Sequence, residues 1–176
     1  MDKARASQVR FSFERIMIIN PDFRLLKTLE ELEQAQTLVA GQVRSTQFVK
    51  AQFNWDRQKL AQMYQQPGMI FWGGFSNQAL IVLICIQNHI SSQFDIHLIL
   101  THVNFRRTGA ASLTLESFVR KQCRKAEVLW LEVHEENAAA IKFYEKLGFK
   151  IDGFRKDYYI DEGRAINMSR QVDSLI

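Results

Sequence analysis

The chain is poor in the residues that tie a protein to several large classes. Only two of its 176 residues are cysteine, Cys85 and Cys123, so no disulfide framework can carry the fold. Neither stands at a metal-ligand spacing from the other or from His89, His97, His102 and His134. No metal is expected, and both thiols read as small apolar residues. Proline is as rare, and the eight glycines form no periodic pattern, which argues against collagen-like and low-complexity architectures. The longest apolar run, Ala79 to Ile86, is far too short for a membrane span and reads as a central strand. Phe11 to Ile19 is shorter than a targeting segment needs and is broken by Glu14 and Arg15, so no secretory signal is read and a cytoplasmic location is the expectation.

What is present suits a compact enzyme. An apolar content of 47% lets residues 21–176 bury the core of a single domain, preceded by a 1–20 extension of unknown role. The net charge of +4 permits an anionic partner without requiring nucleic acid, and none is predicted. Basic residues gather at Arg106-Arg107, at Arg120-Lys121 with Arg124-Lys125, and at Arg155-Lys156. The last two groups read as solvated surface.

Hydrophobic periodicity orders the elements. Phe23 to Lys27 reads as a first strand, and Thr28 with Glu31 three residues on forms a capping box that opens a helix carrying Leu29, Leu32, Ala35 or Gln36, Val39 and Val43 on one face. Asn54 is the expected cap of a second helix from Trp55, with Leu60 and Met63 inward and Pro67-Gly68 as its stop. Met69 to Trp72, Ala79 to Ile86 and the strand at Ile96 to Thr101 suggest an antiparallel meander, its first turn near Ser76-Asn77 after a flexible Gly73-Gly74. A helix from about Ser112 to Lys121, with Leu113, Leu115, Phe118 and Val119 apolar, crosses to a strand at Val128. Phe149 to Ile151 and Ile166 to Met168 close the sheet. The class is α/β (α+β), a mixed, mostly antiparallel sheet flanked by helices.

Two segments carry chemistry. In Arg106-Arg107-Thr108-Gly109-Ala110-Ala111-Ser112, small residues between a strand and a helix let backbone amides approach an anion, and the helix start adds its positive dipole end. Such turns are also common as plain connections. In Val128 to Val133, the two-residue period sets Val128, Trp130 and Glu132 on one face and Leu129, Leu131 and Val133 on the other. Glu132 is thus a carboxylate carried out of an apolar layer, either a candidate base or an acid paired with a nearby Lys or Arg. Tyr144 follows on a short helix that Asn137 opens and Gly148 ends; helical tyrosines are usually core residues with a polar tip.

Together, Arg-x-x-Gly-x-Ala, Leu-Glu-Val and Asn-x-x-Ala-x-x-x-Tyr-x-x-x-Gly-Phe resemble the GNAT superfamily of acetyl-CoA-dependent N-acetyltransferases. LWLEVHEENAAAIKFYEKLGF and the double tyrosine Tyr158-Tyr159 are most similar to the bacterial ribosomal-protein alanine N-acetyltransferases. The resemblance is firm from Phe94 to Met168 and rests on element order from Phe23 to Gln93. It implies the GNAT fold, acetyl-CoA as co-substrate, and a primary amine as acceptor: a protein N-terminal α-amine first, a polyamine or amino sugar second. A non-catalytic acyl-CoA-binding module is the third reading.

By the same resemblance Glu132 is the base, with Asp95 or a water as the alternative, and Tyr144 is the acid that protonates the departing thiolate. The main chain of Ile99, Leu100 and Thr101 and the side chain of Asn137 hold the pantetheine arm. The amides from Arg107 to Ser112, with Arg106 and Arg107 as countercharge, hold the phosphates. Asn137 is equally a helix cap. The chain departs from the family at Ala111, where a second glycine is commoner, at Val103, where proline is frequent, and at Gly163-Arg164, which occupy the place of an acidic pair.

Overall fold

The structure, a computed structural model, describes residues 21–42, 56–89, 93–124, 127–159 and 163–172. The N-terminal extension, Val43, the expected Asn54 cap with Trp55, and Asp161-Glu162 lie outside these residues. Strands β1 (Asp22–Leu25), β2 (Met69–Ser76), β3 (Ala79–His89), β4 (Gln93–Thr101), β5 (Val128–His134), β6 (Lys150–Arg155) and β7 (Ala165–Gln171) form one sheet in the order β1-β2-β3-β4-β5-β7-β6. Every neighbouring pair is antiparallel except β4 and β5. Helices α1 (Leu29–Gln42), α2 (Arg57–Tyr64), α3 (Ala110–Gln122) and α4 (Ala138–Lys146) flank it. This is the mixed α/β sheet that the periodicity predicts.

The capping box opens α1 as the sequence predicts. Thr28 Oγ1 accepts from the Glu31 amide at 3.2 Å, and Glu31 Oε2 accepts from the Thr28 and Lys27 amides at 3.1 and 2.7 Å. Ala35 and Val39 are buried as expected and Leu38 joins them, whereas Leu29 is 73% exposed rather than part of the buried face. The described part of the second helix begins at Arg57, where Asp56 takes the cap position and accepts from the Lys59 amide at 2.7 Å; Leu60 and Met63 are buried as expected.

Two cores form, one on each face. Leu115, Phe118 and Val119 of α3 pack on Ile84, Phe94, Ile96, Leu129, Leu131 and Met168, with Phe118 edge-on to Trp72 and Phe94. Ala35, Leu38, Val39, Leu60 and Met63 pack on the other face against Phe71, Phe75, Leu83, Leu98 and Leu100. Helix α3 starts at Ala110, two residues before the expected Ser112, and Leu113 is 47% exposed rather than part of the core face. At the other end of the sheet, Arg170 grips Glu116 with two hydrogen bonds of 2.6 and 3.3 Å.

Gly73 and Gly74 are buried strand residues, not a flexible approach to the turn. The turn is Asn77-Gln78, both with positive φ, the two-residue connection whose twist suits a hairpin. Gly74 is required by packing, because a Cβ there would overlap Thr114 Oγ1 of α3. Gly74→Ala should lower stability in urea by about 1–3 kcal/mol, and the loss should shrink in a Thr114→Ala background; an equal loss in both backgrounds would place the strain elsewhere.

Candidate active site

The sheet opens between its two parallel strands. β4 and β5 are in register from Gln93 opposite Val128 to Ile96 opposite Leu131, and the ladder ends there. On its other side β4 stays bonded to β3 as far as Thr101, but Cys85 faces Leu98 while Ile86 faces Ile96, so His97 is an extra residue. Such a bulge bends the strand and exchanges its faces. Phe94 and Ile96 accordingly belong to the α3 core, whereas Leu98 and Leu100 belong to the α1–α2 core.

On the α3 face a cavity of about 590 Å³ follows the opening. Its wall brings together Ile99, Leu100 and Thr101 of β4, Arg106, Arg107, Gly109, Ala110, Ala111 and Ser112 of the turn into α3, and Asn137 and Tyr144 of α4. Thr108 is absent from the wall; its Oγ1 donates to the Phe105 carbonyl at 2.7 Å and accepts from the Ala110 amide at 3.4 Å, bracing the turn. Arg107 and Gly109 have φ of 61° and 89°, which curls successive amides into a concave surface suited to an anion. Gly109 caps α3 without a side-chain acceptor, and no atom lies within 4 Å of where its Cβ would be. Asn137 Oδ1 accepts from the Ala140 amide at 3.2 Å, the cap role. Tyr144 packs edge-on to Phe143 and Phe149, and burial pushes its phenol up, so it is protonated at neutral pH.

Glu132 is on the opposite face, in a second cavity of about 400 Å³ with Asp95, His97, Trp130, Arg155, Tyr158 and Asn167. Its Oε1 accepts from Arg155 Nη1 at 2.6 Å. Tyr158 also bonds to Glu132, and burial together with that bond pushes its phenol up to about 12. Asp95 is engaged as well: Oδ2 meets His89 Nε2 and Oδ1 accepts from Gln93, each at 2.9 Å. Asn167, directly across the ladder from Glu132, has a buried Oδ1 with no hydrogen-bond partner among the described residues. An N–H donor entering the cavity would satisfy it. Tyr159 is buried against His134 instead of lining the cavity. Arg164 at the cavity's flank binds Glu135 through its side chain at 2.7 and 2.8 Å and through its amide at 2.9 Å, holding that carboxyl below the usual range.

A strand-edge cleft leading to a small-residue anion turn, on the far side of the sheet from a carboxylate, is a distinctive arrangement, and comparison with known sequences identifies it. The profile of the Acetyltransferase (GNAT) family matches residues 26–149. The chain belongs to the GNAT acetyltransferase family. It is 42% identical over 57 residues to the [ribosomal protein bS18]-alanine N-acetyltransferase of Salmonella typhimurium, covering 32% of this chain and 38% of that one. It is 36% identical over 105 residues to an N-alpha-acetyltransferase of Saccharolobus solfataricus, covering 58% and 59%. These matches span well under two thirds of either relative. The crystal structure of the ribosomal-protein-S18-alanine N-acetyltransferase from Escherichia coli superposes with a TM-score of 0.69 at 24% identity, over 89% of this chain and 96% of that one, and so shares the GNAT fold.

Several wall residues escape a reading of the sequence. Lys142 and Lys146 add two cations to Arg106 and Arg107 around the first cavity, and their spacing of four on a helix is the signal that could have placed them there. Arg155 carries no local signal, because its partner is 23 positions away. Nor does His97, whose bulge is a property of the pairing. Burial pushes the His97 imidazole below its ordinary value of 6.5, and Asp95 pulls it upward without cancelling this. Below 6.5 the unfolded chain then binds more protons than the folded one, so this contribution to stability is present above that pH and is lost as pH falls through it. The urea midpoint should fall between pH 7.5 and 5.5 as an order-of-magnitude window around that value, and His97→Gln should flatten the fall; an identical slope in the variant would assign it to other groups.

Proposed function

We propose that this acetyltransferase moves the acetyl group of acetyl-CoA to the N-terminal α-amine of a protein, with Glu132 as base and Tyr144 as acid. The observation that carries the reading is the opening between β4 and β5, with an anion-binding cleft on one face and a carboxylate cavity on the other. The coenzyme fits the first cavity by its chemistry. Four cations and the amides from Arg107 to Ser112 suit its phosphates, and Ile99 to Thr101 offer a strand edge to the amide-bearing pantetheine arm. Asn137 keeps its NH₂ group for the same arm while its oxygen caps α4.

The acceptor enters from the second cavity. An α-amine has a pKa of about 8, against about 10.4 for lysine, so less proton must be removed from it near neutral pH. Glu132 takes that proton, directly or through a water. The amine nitrogen attacks the thioester carbonyl, and main-chain N–H groups beside the opening stabilise the oxyanion. As the C–N bond forms and the C–S bond breaks, Tyr144 donates its proton to the leaving thiolate. Asp95, hydrogen-bonded to His89 and Gln93, is the alternative base. The two relatives are named for acetylating alanine of a ribosomal protein and α-amines, which favours this acceptor over a polyamine or amino sugar.

The test is product mass after incubation with acetyl-CoA and a panel of peptides beginning with alanine, serine or methionine, lysine peptides, polyamines and amino sugars. One acetyl group on a peptide α-amine is expected; acetylation confined to small amines would overturn the reading. Tyr144→Phe and Glu132→Gln should each lower kcat roughly 100-fold or more with acetyl-CoA affinity nearly unchanged, and Glu132→Gln should lose most at low pH. A Tyr144→Phe enzyme with full turnover would remove that residue as the acid.

A further inference from the structure

An ammonium group that reaches Glu132 meets a carboxylate whose charge Arg155 already neutralises. The ion pair joins β5 to the end of β6 across the width of β7, at 2.6 Å, with side chains 26% and 57% exposed. An ion pair this open is screened by solvent and weak, so an incoming ammonium can share the carboxylate with it. The guanidinium also rests over the Tyr158 ring, 4.8 Å from its centroid, a contact that favours its staying at the cavity's edge. Two cations then face one carboxylate charge. Of the cavity's other groups, Asp95 is hydrogen-bonded to His89 and Gln93, and burial lowers the His97 pKa below its ordinary value of 6.5.

We propose that Arg155 is a specificity residue that selects acceptors with a carboxylate beside the reacting amine: N-termini whose second residue is Asp or Glu. The inference deepens the peptide reading above and rests on it. Before binding, Glu132 and Arg155 neutralise each other; after binding, the acceptor's ammonium pairs with Glu132 and its carboxylate pairs with Arg155. Both charges are exchanged and none is stranded. Ammonium and guanidinium each sit about 3 Å from the same carboxylate, which puts the acceptor's anion within roughly 8 Å of its amine, the reach of a second-residue side chain. A guanidinium also fits a carboxylate in two-point fashion. A basic second residue would meet Arg155 as a like charge.

The test is initial-rate acetylation of three otherwise identical uncharged peptides beginning Ala-Glu, Ala-Gln and Ala-Lys, with the acetylated nitrogen assigned by mass spectrometry. Wild type should rank them Glu over Gln over Lys in kcat/KM, with about tenfold or more between the extremes, carried mainly by KM. Arg155→Ala should bring Glu and Gln within about twofold of each other, Arg155→Lys should keep the order with a smaller spread, and Arg155→Glu should invert it. Binding of acetyl-CoA by each variant checks that it is folded. Equal wild-type rates on the three peptides, or a preference unchanged by Arg155→Ala, would overturn the inference while leaving α-amine acetylation standing. A protein that binds acetyl-CoA and acetylates none of them would overturn both.

Discussion

Everything functional in this molecule depends on one parallel pairing that stops after four residue pairs. β4 is held to β3 along its whole length and β5 to β7 along its whole length, both antiparallel. The two halves of the sheet are therefore stiff, and they touch only from Gln93 to Ile96 and from Val128 to Leu131. The opening beyond is a wedge whose sides are ladders, not loops. A site built on strand ends keeps its geometry without a ligand to organise it.

The extra residue at His97 gives the wedge two chemically different sides. Without it, Phe94 and Leu100 would share a face and the two cores would merge along β4. With it, the α3 side is cationic and rich in amides, and the α1–α2 side carries Asp95, His97 and Glu132. The two sides thus present fields of different character to approaching ligands. Tyr144 and Glu132 are accordingly on different faces of one sheet.

Elements that follow from local periodicity are legible in the sequence, and those that depend on a distant partner are not. The Thr28–Glu31 cap, the alternation in β4 and β5 and the small residues at 109 to 111 are local patterns with local causes. Gly73-Gly74 resemble a flexible turn in one dimension, yet Gly74 is small because α3 passes over it with Thr114. Leu29 satisfies the helical period yet is exposed at the first position of its helix. In the site, the coenzyme wall lies within a few short stretches and can be read almost entirely. The second cavity draws its wall from β4, β5, β7 and the end of β6, so the place of Arg155 in it becomes visible only when the register is known.

Cys85 and Cys123, the chain's two thiols, are both buried, and burial raises their pKa, to about 12 for Cys123. At working pH neither supplies a thiolate to a disulfide reagent. Each turnover of an acetyl-CoA-dependent transferase releases one free coenzyme thiol. A coloured thiol reagent added to the folded protein would therefore register the product against a silent background, and its slow reaction with the protein itself would time the opening of the core.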